Sequence, residues 1–204
     1  MHVLKLMGPA MIGAAVLLGG CATGPDVTMP GPEQIQQRKA EAVALMGKGG
    51  RLAERGDTEG AIEAYQQAVV LDRSLGAAWN NLGELMLREE RYADAVGAFT
   101  AAADADPADP RPVYNAALAY QRIGWAADAY DQYTRALERD ENFLPALRGA
   151  VRSGEMLSKA DPVLAEQVRR AMLLETDATW RSYLERQRFR IEAGMDATLR
   201  DANG

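Results

Sequence analysis

The feature that most constrains this chain is a pattern that recurs every 34 residues between residues 42 and 143. The small residues Ala61, Ala95 and Ala129 are separated by this step. The same step links five further sets: Tyr65, Phe99 and Tyr133; Ala68, Ala102 and Ala136; Asp72, Asp106 and Asp140; Leu45, Trp79 and Val113; Gly49, Gly83 and Ala117. A fixed period of this length indicates stacked copies of one supersecondary unit, each burying its apolar face against its neighbours.

Within each unit the apolar residues have helical spacing. In residues 58–71, Ala61, Tyr65 and Ala68 recur with the i, i+4, i+7 period of an amphipathic helix. Good helix formers dominate the composition, and long runs of Val, Ile or Thr are absent. The sequence therefore predicts an all-α fold built from helix–turn–helix units.

The repeated unit resembles the tetratricopeptide repeat (TPR) family. The residues that carry the resemblance are Trp79, Leu82, Gly83, Met86, Ala95, Phe99, Ala102 and Pro107. The resemblance covers about half of the chain and implies a TPR helix-turn-helix solenoid. We assign its three clear repeats to residues 42–75, 76–109 and 110–143, within an array that spans residues 33–143 and begins with a helix near Glu33.

After Phe143 the repeated residues become harder to recognise. We interpret residues 144–194 as a degenerate fourth repeat followed by capping helices. Asp161 and Pro162 are typical of a helix start, and this helix is predicted to end at Leu174. A last helix is expected after Asp177; its arginines are either a solvated face or a contact for a partner or for lipid phosphates. Residues 195–204 are expected to fray.

The N-terminal 20 residues have the pattern of a signal peptide, with Lys5 before an apolar stretch. The stretch ends in Leu18, Gly19, Gly20 and Cys21, which resembles a bacterial lipobox. That resemblance implies cleavage before Cys21 and lipidation of its sulfur. Ala22, in place of Asp, implies export to the outer membrane. The alternative is an ordinary secreted protein in which Cys21 occurs by chance.

Residues 21–32 are predicted to be a flexible tether that carries the lipid at Cys21. Pro25, Pro30 and Pro32 interrupt any helical or strand period. The eleven residues from Ala22 to Pro32 reach roughly 35 Å when extended, which would hold the repeats away from the lipid headgroups.

The composition excludes several kinds of catalytic site. Cys21 is the only cysteine and His2 is the only histidine, which excludes the usual zinc sites, Ser-His-Asp triads and Cys-His pairs. Gly47, Lys48 and Gly49 do not complete a phosphate-binding loop. The net charge of −6 argues against non-specific binding to nucleic acid. We therefore predict a protein that is not an enzyme, with no cofactor and no metal.

The TPR resemblance implies a concave groove lined by the first helix of each repeat. Residues at the groove-facing places are Asn80, Glu84, Arg88, Arg111, Tyr114, Leu118, Gln121, Arg122, Arg148 and Arg152. Our hypothesis is a peptide partner whose acidic end lies near the four arginines from Arg111 onward, because the guanidinium fork suits carboxylates. Tyr114 and Leu118 would form an aromatic and apolar platform. The alternative is that these arginines are simply solvated.

One TPR sub-family is not expected. Domains that clamp the C-terminal carboxylates of chaperones use Lys and Asn in the first repeat, where this chain has Met46 and Gly50.

The layout of lipoprotein signal, tether and repeats resembles bacterial TPR lipoproteins of the envelope. The nearest in plan are those of tight-adherence (Flp) pilus assembly and the pilotins of secretins. The resemblance implies a periplasm-facing scaffold at the outer membrane that binds protein segments and assists a pilus or secretion machine. Two alternatives remain: an adaptor for cell-wall hydrolases or proteases, and a subunit of outer-membrane protein insertion. The oligomeric state stays open.

Overall fold

The computed structural model describes residues 31–202, so the predicted signal peptide, Cys21 and most of the predicted tether lie outside the described residues. Within this range the chain forms nine α-helices and no β-strand, which confirms the all-α prediction. The helices are α1 (Pro32–Glu54), α2 (Thr58–Leu71), α3 (Gly76–Arg88), α4 (Tyr92–Ala105), α5 (Pro110–Ile123), α6 (Ala126–Arg139), α7 (Leu144–Met156), α8 (Pro162–Leu174) and α9 (Ala178–Ala202). None of these helices is both long enough and apolar enough to cross a bilayer.

Aspartate side chains fix several helix starts. Asp57 accepts a hydrogen bond from the N–H of Gly60 at 3.0 Å, which caps α2. Asp161 caps α8 in the same way, through the N–H of Leu164 at 2.9 Å. These bonds satisfy donors that the first turn of a helix leaves unpaired. The predicted start of α8 and its predicted end at Leu174 are both confirmed.

The recurring aspartates form the turns between repeats. Asp72, Asp106 and Asp140 each accept the backbone N–H two residues later, at 3.0, 3.2 and 3.0 Å. Glu175 does the same in the next turn, at 2.9 Å. Such local bonds favour a turn over continuation of the helix. The 34-residue recurrence of Asp therefore marks the junction between units.

The repeat register continues to the last helix. The first helices α3, α5, α7 and α9 begin at Gly76, Pro110, Leu144 and Ala178, each 34 residues after the previous one. Helices α7 and α8 therefore form a fourth repeat in register, and α9 takes the place of the first helix of a fifth. A longer α7–α8 connection is offset by a shorter α8 and a shorter α8–α9 connection. Residues 195–202, which we expected to fray, are helical.

The packing of the helices places the first helices on the inside of the array. Consecutive helices pack as antiparallel neighbours, and in addition α3 contacts α5, α5 contacts α7 and α7 contacts α9. The second helices α2, α4, α6 and α8 do not pack on one another to that extent. Because the first helices are closer together than the second helices, their shared surface is the concave one. We call this surface, on α3, α5, α7 and α9, the groove.

The core consists of two clusters of buried side chains. The N-terminal cluster joins α2, α3 and α4 and includes Phe99; the C-terminal cluster joins α6 to α9, includes Tyr133 and also takes in Ala103 of α4. Helix α5 contributes to both, with Ala116 in the first and Val113 in the second. Gly83 shows how tightly the paired helices approach, because a Cβ atom there would lie 2.6 Å from the ring of Phe99.

Replacing Ala95 by Phe tests the close helix pairing. Ala95 is fully buried on α4, so the larger side chain should overpack the pair and lower the free energy of unfolding by about 1–3 kcal/mol. Ala93→Phe is the matched control, because Ala93 is exposed on the same helix. Thermal unfolding of both variants is the measurement. Equal melting temperatures for Ala95→Phe and the wild type would contradict the register.

Candidate protein-binding groove

All ten groove residues of the sequence hypothesis are exposed or half-buried on first helices. Those on α3 are Asn80, Glu84 and Arg88; those on α5 are Arg111, Tyr114, Leu118, Gln121 and Arg122; those on α7 are Arg148 and Arg152. Among residues 31–202, Arg88 and Arg122 form no ion pair with another side chain. They are cationic groups that a partner can reach.

A polar ladder joins α3 to α5 across the groove. The side-chain amide of Asn115 donates to Oδ1 of Asn80 at 2.9 Å. The amide of Asn80 donates in turn to Oε1 of Glu84 at 2.8 Å. The ladder fixes the side chains of Asn80 and Glu84 in one arrangement, so that they are ordered before a partner arrives. Asn115 was not among the predicted groove residues.

An aromatic cluster occupies the middle of the groove. The ring of Tyr114 lies 5.8 Å from that of Tyr133 and 5.4 Å from that of Phe143, the second contact being edge-to-face. The hydroxyl of Tyr133 donates to Oε1 of Gln121 at 2.7 Å. Burial raises the pKa of Tyr114, so its hydroxyl is neutral over the physiological range. Tyr114 is a rigid, half-buried platform on α5.

Arg111 lies at the start of α5 and already has a carboxylate partner. Its Nη2 lies 2.7 Å from Oδ2 of Asp109, and its Nε donates to the same carboxylate at 2.9 Å. These bonds lower the pKa of Asp109. The side chain of Arg111 is nevertheless 73% exposed. Exposed ion pairs contribute little to stability, so a partner's carboxylate can compete for this guanidinium.

Arg148 has a carboxylate partner of a different kind. Its Nε and Nη2 each donate to the carboxylate of Glu175 at 2.7 Å. The Glu175 side chain is fully buried, and its Oε1 also accepts the N–H groups of Thr176 and Asp177. The guanidinium of Arg148 lowers the pKa of Glu175. The bidentate carboxylate contact that the sequence hypothesis expected from a partner is therefore made within the chain.

Helix α9 contributes aromatic residues to the end of the groove. The guanidinium carbons of Arg148 and Arg152 lie 4.8 and 5.7 Å from the ring centroid of Trp180. Tyr183 packs edge-to-face on Trp180 at 5.4 Å. Sequence reasoning missed both aromatic residues because it treated α9 as a cap. The sequence signal for α9 is the 34-residue step, which links Leu118 to Arg152 and then to Arg186 and so marks α9 as a first helix.

The described residues have no grouping suited to a metal ion. Between residues 31 and 202, His, Cys, Asp and Glu side chains do not form a cluster of three that could ligate one. What the groove offers instead is hydrogen-bond donors, an aromatic platform and guanidinium groups, which recognise peptide groups and carboxylates.

Sequence comparison matches part of the array to a known repeat. Residues 49–89 match the family model of the TPR repeat. Superkiller complex protein 3 of Homo sapiens is 30% identical over 100 residues, and Hsp70-Hsp90 organizing protein 2 of Arabidopsis thaliana is 29% identical over 97 residues. The matches cover 49% and 47% of this chain but only 6% and 17% of those proteins.

Structural comparison shows the same fold. The first TPR of Spaghetti (RPAP3), bound to the HSP90 peptide SRMEEVD, superposes with a TM-score of 0.56 at 19% identity. That match covers 59% of this chain and 96% of the other. MamA from Desulfovibrio magneticus RS-1 superposes with a TM-score of 0.57 at 22% identity, covering 70% and 80%. The helical array is a TPR solenoid.

Proposed function

We propose that this TPR-repeat chain is a non-catalytic scaffold that binds a peptide segment of another protein in the groove. TPR repeats are protein-interaction modules, and the observation that supports the groove as the binding surface is the fixed platform of Tyr114. A side chain packed on two neighbouring rings loses little conformational freedom on binding, so its contact area adds to affinity. The structure of the Spaghetti TPR with an HSP90 peptide supports a peptide as the occupant.

The polar residues around Tyr114 suit an extended backbone. Gln121 accepts a hydrogen bond from Tyr133 at its Oε1, so its amide N–H groups are oriented to donate to peptide carbonyls. Leu118, half-buried beside Tyr114 on α5, offers an apolar contact for alternate side chains of the segment. Arg122, on the same helix, supplies a guanidinium that forms no ion pair in the described part of the chain. In this proposal α5 carries most of the contact.

The proposed site of action is the periplasmic face of the outer membrane. The support is the lipobox resemblance at Leu18–Cys21 and the residue after it, Ala22. One acyl chain gives marginal membrane binding, but a diacylglyceryl group with an added acyl chain gives stable anchoring. In that position the scaffold assists assembly of a pilus or secretion machine, which is the role of the envelope lipoproteins whose layout the sequence resembles.

Cys21→Ala tests the lipid anchor. Without the sulfur no thioether forms, so the protein should move from the membrane fraction to the soluble periplasmic fraction. The matched control is Ala22→Asp, which keeps Cys21 and should keep the protein in membranes while changing which membrane holds it. Cell fractionation followed by immunoblotting is the measurement. A Cys21→Ala protein that stays in the membrane fraction would refute the anchor.

The groove is tested by in-cell cross-linking, affinity capture and mass spectrometry. The double variant Arg111→Glu/Tyr114→Ala should lose its partner, because it removes the platform and reverses the charge at the start of α5. Arg135→Glu is the control, because Arg135 is exposed on a second helix, α6. Equal recovery of partners by the double variant and the wild type would show that the groove is not the binding surface.

The identity of the captured proteins tests the role. Secretin or pilus components, lost from the double variant, are the expected result. Capture of cell-wall hydrolases or proteases instead would indicate that the protein is an adaptor for those enzymes and does not assist assembly.

A further inference from the structure

We propose that the groove ends in a carboxylate-binding pocket between α7 and α9. The pocket takes an acidic side chain or the C-terminal carboxylate of the bound peptide. It has a volume of about 270 Å³ and is lined by Arg152, Thr179, Trp180, Tyr183 and Arg186. We call it the α7–α9 pocket. The inference rests on peptide binding in the groove and names the chemistry of one end of that peptide.

The repeat register aligns the two arginines of the pocket. Arg152 on α7 and Arg186 on α9 are 34 residues apart, and α7 and α9 are first helices in contact. Both arginines therefore occupy the same place on the concave surface, one repeat apart. In α5 that place is the apolar Leu118. The groove thus changes along its length from an apolar platform to paired cationic groups.

Neither arginine of the pocket has a carboxylate partner within residues 31–202, whereas Arg148 does. The acidic residue one turn from Arg152 is Glu155, and both of its oxygens are engaged by α9. Its Oε2 accepts the hydroxyl of Tyr183 at 2.7 Å, and its Oε1 accepts the amide of Gln187 at 2.6 Å.

Two guanidinium groups that form no ion pair among residues 31–202 line one pocket, in a chain whose net charge is −6. The ligand that complements this site is an anion.

The aromatic walls favour a carboxylate on a peptide. The guanidinium carbon of Arg152 lies 5.7 Å from the ring centroid of Trp180, and such a contact restricts the guanidinium while leaving its N–H groups able to donate to a carboxylate. The volume of about 270 Å³ falls at or below the lower end of small-molecule sites, about 300 Å³. It accommodates one carboxylate-bearing group, and the rest of the peptide would lie along the first helices.

The test uses the full-length protein in detergent and three acetylated tripeptide probes. They are Leu-Glu-Glu with a free carboxylate, Leu-Glu-Glu amide and Leu-Gln-Gln amide. Binding is followed by NMR at the indole N–H of Trp180 and the Nε–H groups of the arginines. We expect the fully neutral probe to bind about tenfold more weakly than the free acid, because charge-assisted hydrogen bonds are lost. The Leu-Glu-Glu amide keeps the side-chain carboxylates and lacks the C-terminal one. Retained affinity for this probe would assign the pocket to an acidic side chain, and lost affinity would assign it to the C-terminal carboxylate.

The variants Arg152→Gln and Arg186→Gln should each weaken binding of the free acid about tenfold or more. Arg181→Gln is the matched control, because Arg181 is exposed on α9 and does not line the pocket. Circular dichroism verifies that each variant is folded. Two results would contradict carboxylate binding in the pocket. One is equal affinity for the acidic and neutral probes, and the other is a loss of affinity in Arg181→Gln as large as that in Arg152→Gln and Arg186→Gln.

A further outcome that would contradict it is binding to phosphatidylglycerol vesicles that depends on Arg186 while the peptides do not bind. That result would assign the arginines to lipid phosphates. The proposed function fails separately, in the cross-linking experiment with Arg111→Glu/Tyr114→Ala. Partners lost in that experiment, with no discrimination among the tripeptides, would leave the groove in place and remove only the α7–α9 pocket.

Discussion

Replacing Arg148 by methionine lowers the free energy of unfolding by about 3 kcal/mol. The variant leaves the fully buried carboxylate of Glu175 with two backbone N–H donors in place of four donors. Removing one partner of a buried ion pair typically costs about 3–5 kcal/mol, because the other charge stays buried without compensation. Arg148 is itself about one-third exposed, so the lower end of that range applies. Urea unfolding measures the effect.

Two further variants distinguish the contribution of the Arg148–Glu175 ion pair from that of the neighbouring contacts. Arg152→Met is the control on the same helix, because Arg152 also contacts Trp180 but forms no ion pair within the described range 31–202. Its cost in free energy of unfolding should be below about 1 kcal/mol. The double variant Arg148→Met/Glu175→Gln should recover part of the loss, because both charges are gone while the glutamine oxygen can still accept the N–H groups of Thr176 and Asp177. A loss for Arg148→Met no greater than that for Arg152→Met would show that the pair is not a structural one.

Replacing Gly149 by valine is the second substitution with a large expected effect. It should lower the free energy of unfolding by about 1–3 kcal/mol or more. Gly149 is buried on α7, and a Cβ atom there would overlap the ring of Tyr133. Tyr133 cannot move easily, because its ring is fully buried and its hydroxyl bonds to Gln121. Since Tyr114 packs on the same ring, the variant should also weaken capture of the partner.

Gly97→Ala is the matched control for the glycine on α7. Gly97 is an exposed helical residue of α4, and a Cβ atom there would meet nothing within 4 Å. Alanine is about 1 kcal/mol more favourable than glycine inside a helix, so this variant should be slightly more stable than the wild type. Thermal unfolding of Gly149→Val and Gly97→Ala measures the difference in stability between them. A Gly149→Val protein as stable as Gly97→Ala would contradict the packing around Tyr133.

The fold could be predicted from the sequence because the repeat encodes its own geometry. Small residues such as Ala95 recur where helices approach closely, and aspartates such as Asp106 recur where the chain turns. These are local requirements that a periodic sequence shows directly. The register was lost after Phe143 because α7 to α9 keep the spacing of their helix starts while replacing the residues that identify a repeat.

The groove was harder to predict because charge pairing is not local. The sequence shows arginines at Arg148 and Arg152 in equivalent settings, one turn apart on the same helix. The structure separates them: Glu175, 27 residues along the chain from Arg148, neutralises that arginine alone. The 34-residue repeat does not predict such an ion pair. The aromatic wall at Trp180 was missed for the related reason that α9 was not recognised as a first helix.

Helix α5 has a consequence for how the array responds to a bound partner. It contributes buried residues to both the N-terminal and the C-terminal clusters of the core, through Ala116 and Val113, as α4 does through Phe99 and Ala103. Solenoids unfold in segments when the coupling between neighbouring units is weak. A ligand held on α5 stabilises one of the two helices on which both segments depend. Occupancy of the groove would therefore make the two halves lose their amide protection together, turning a stepwise opening into a single cooperative event.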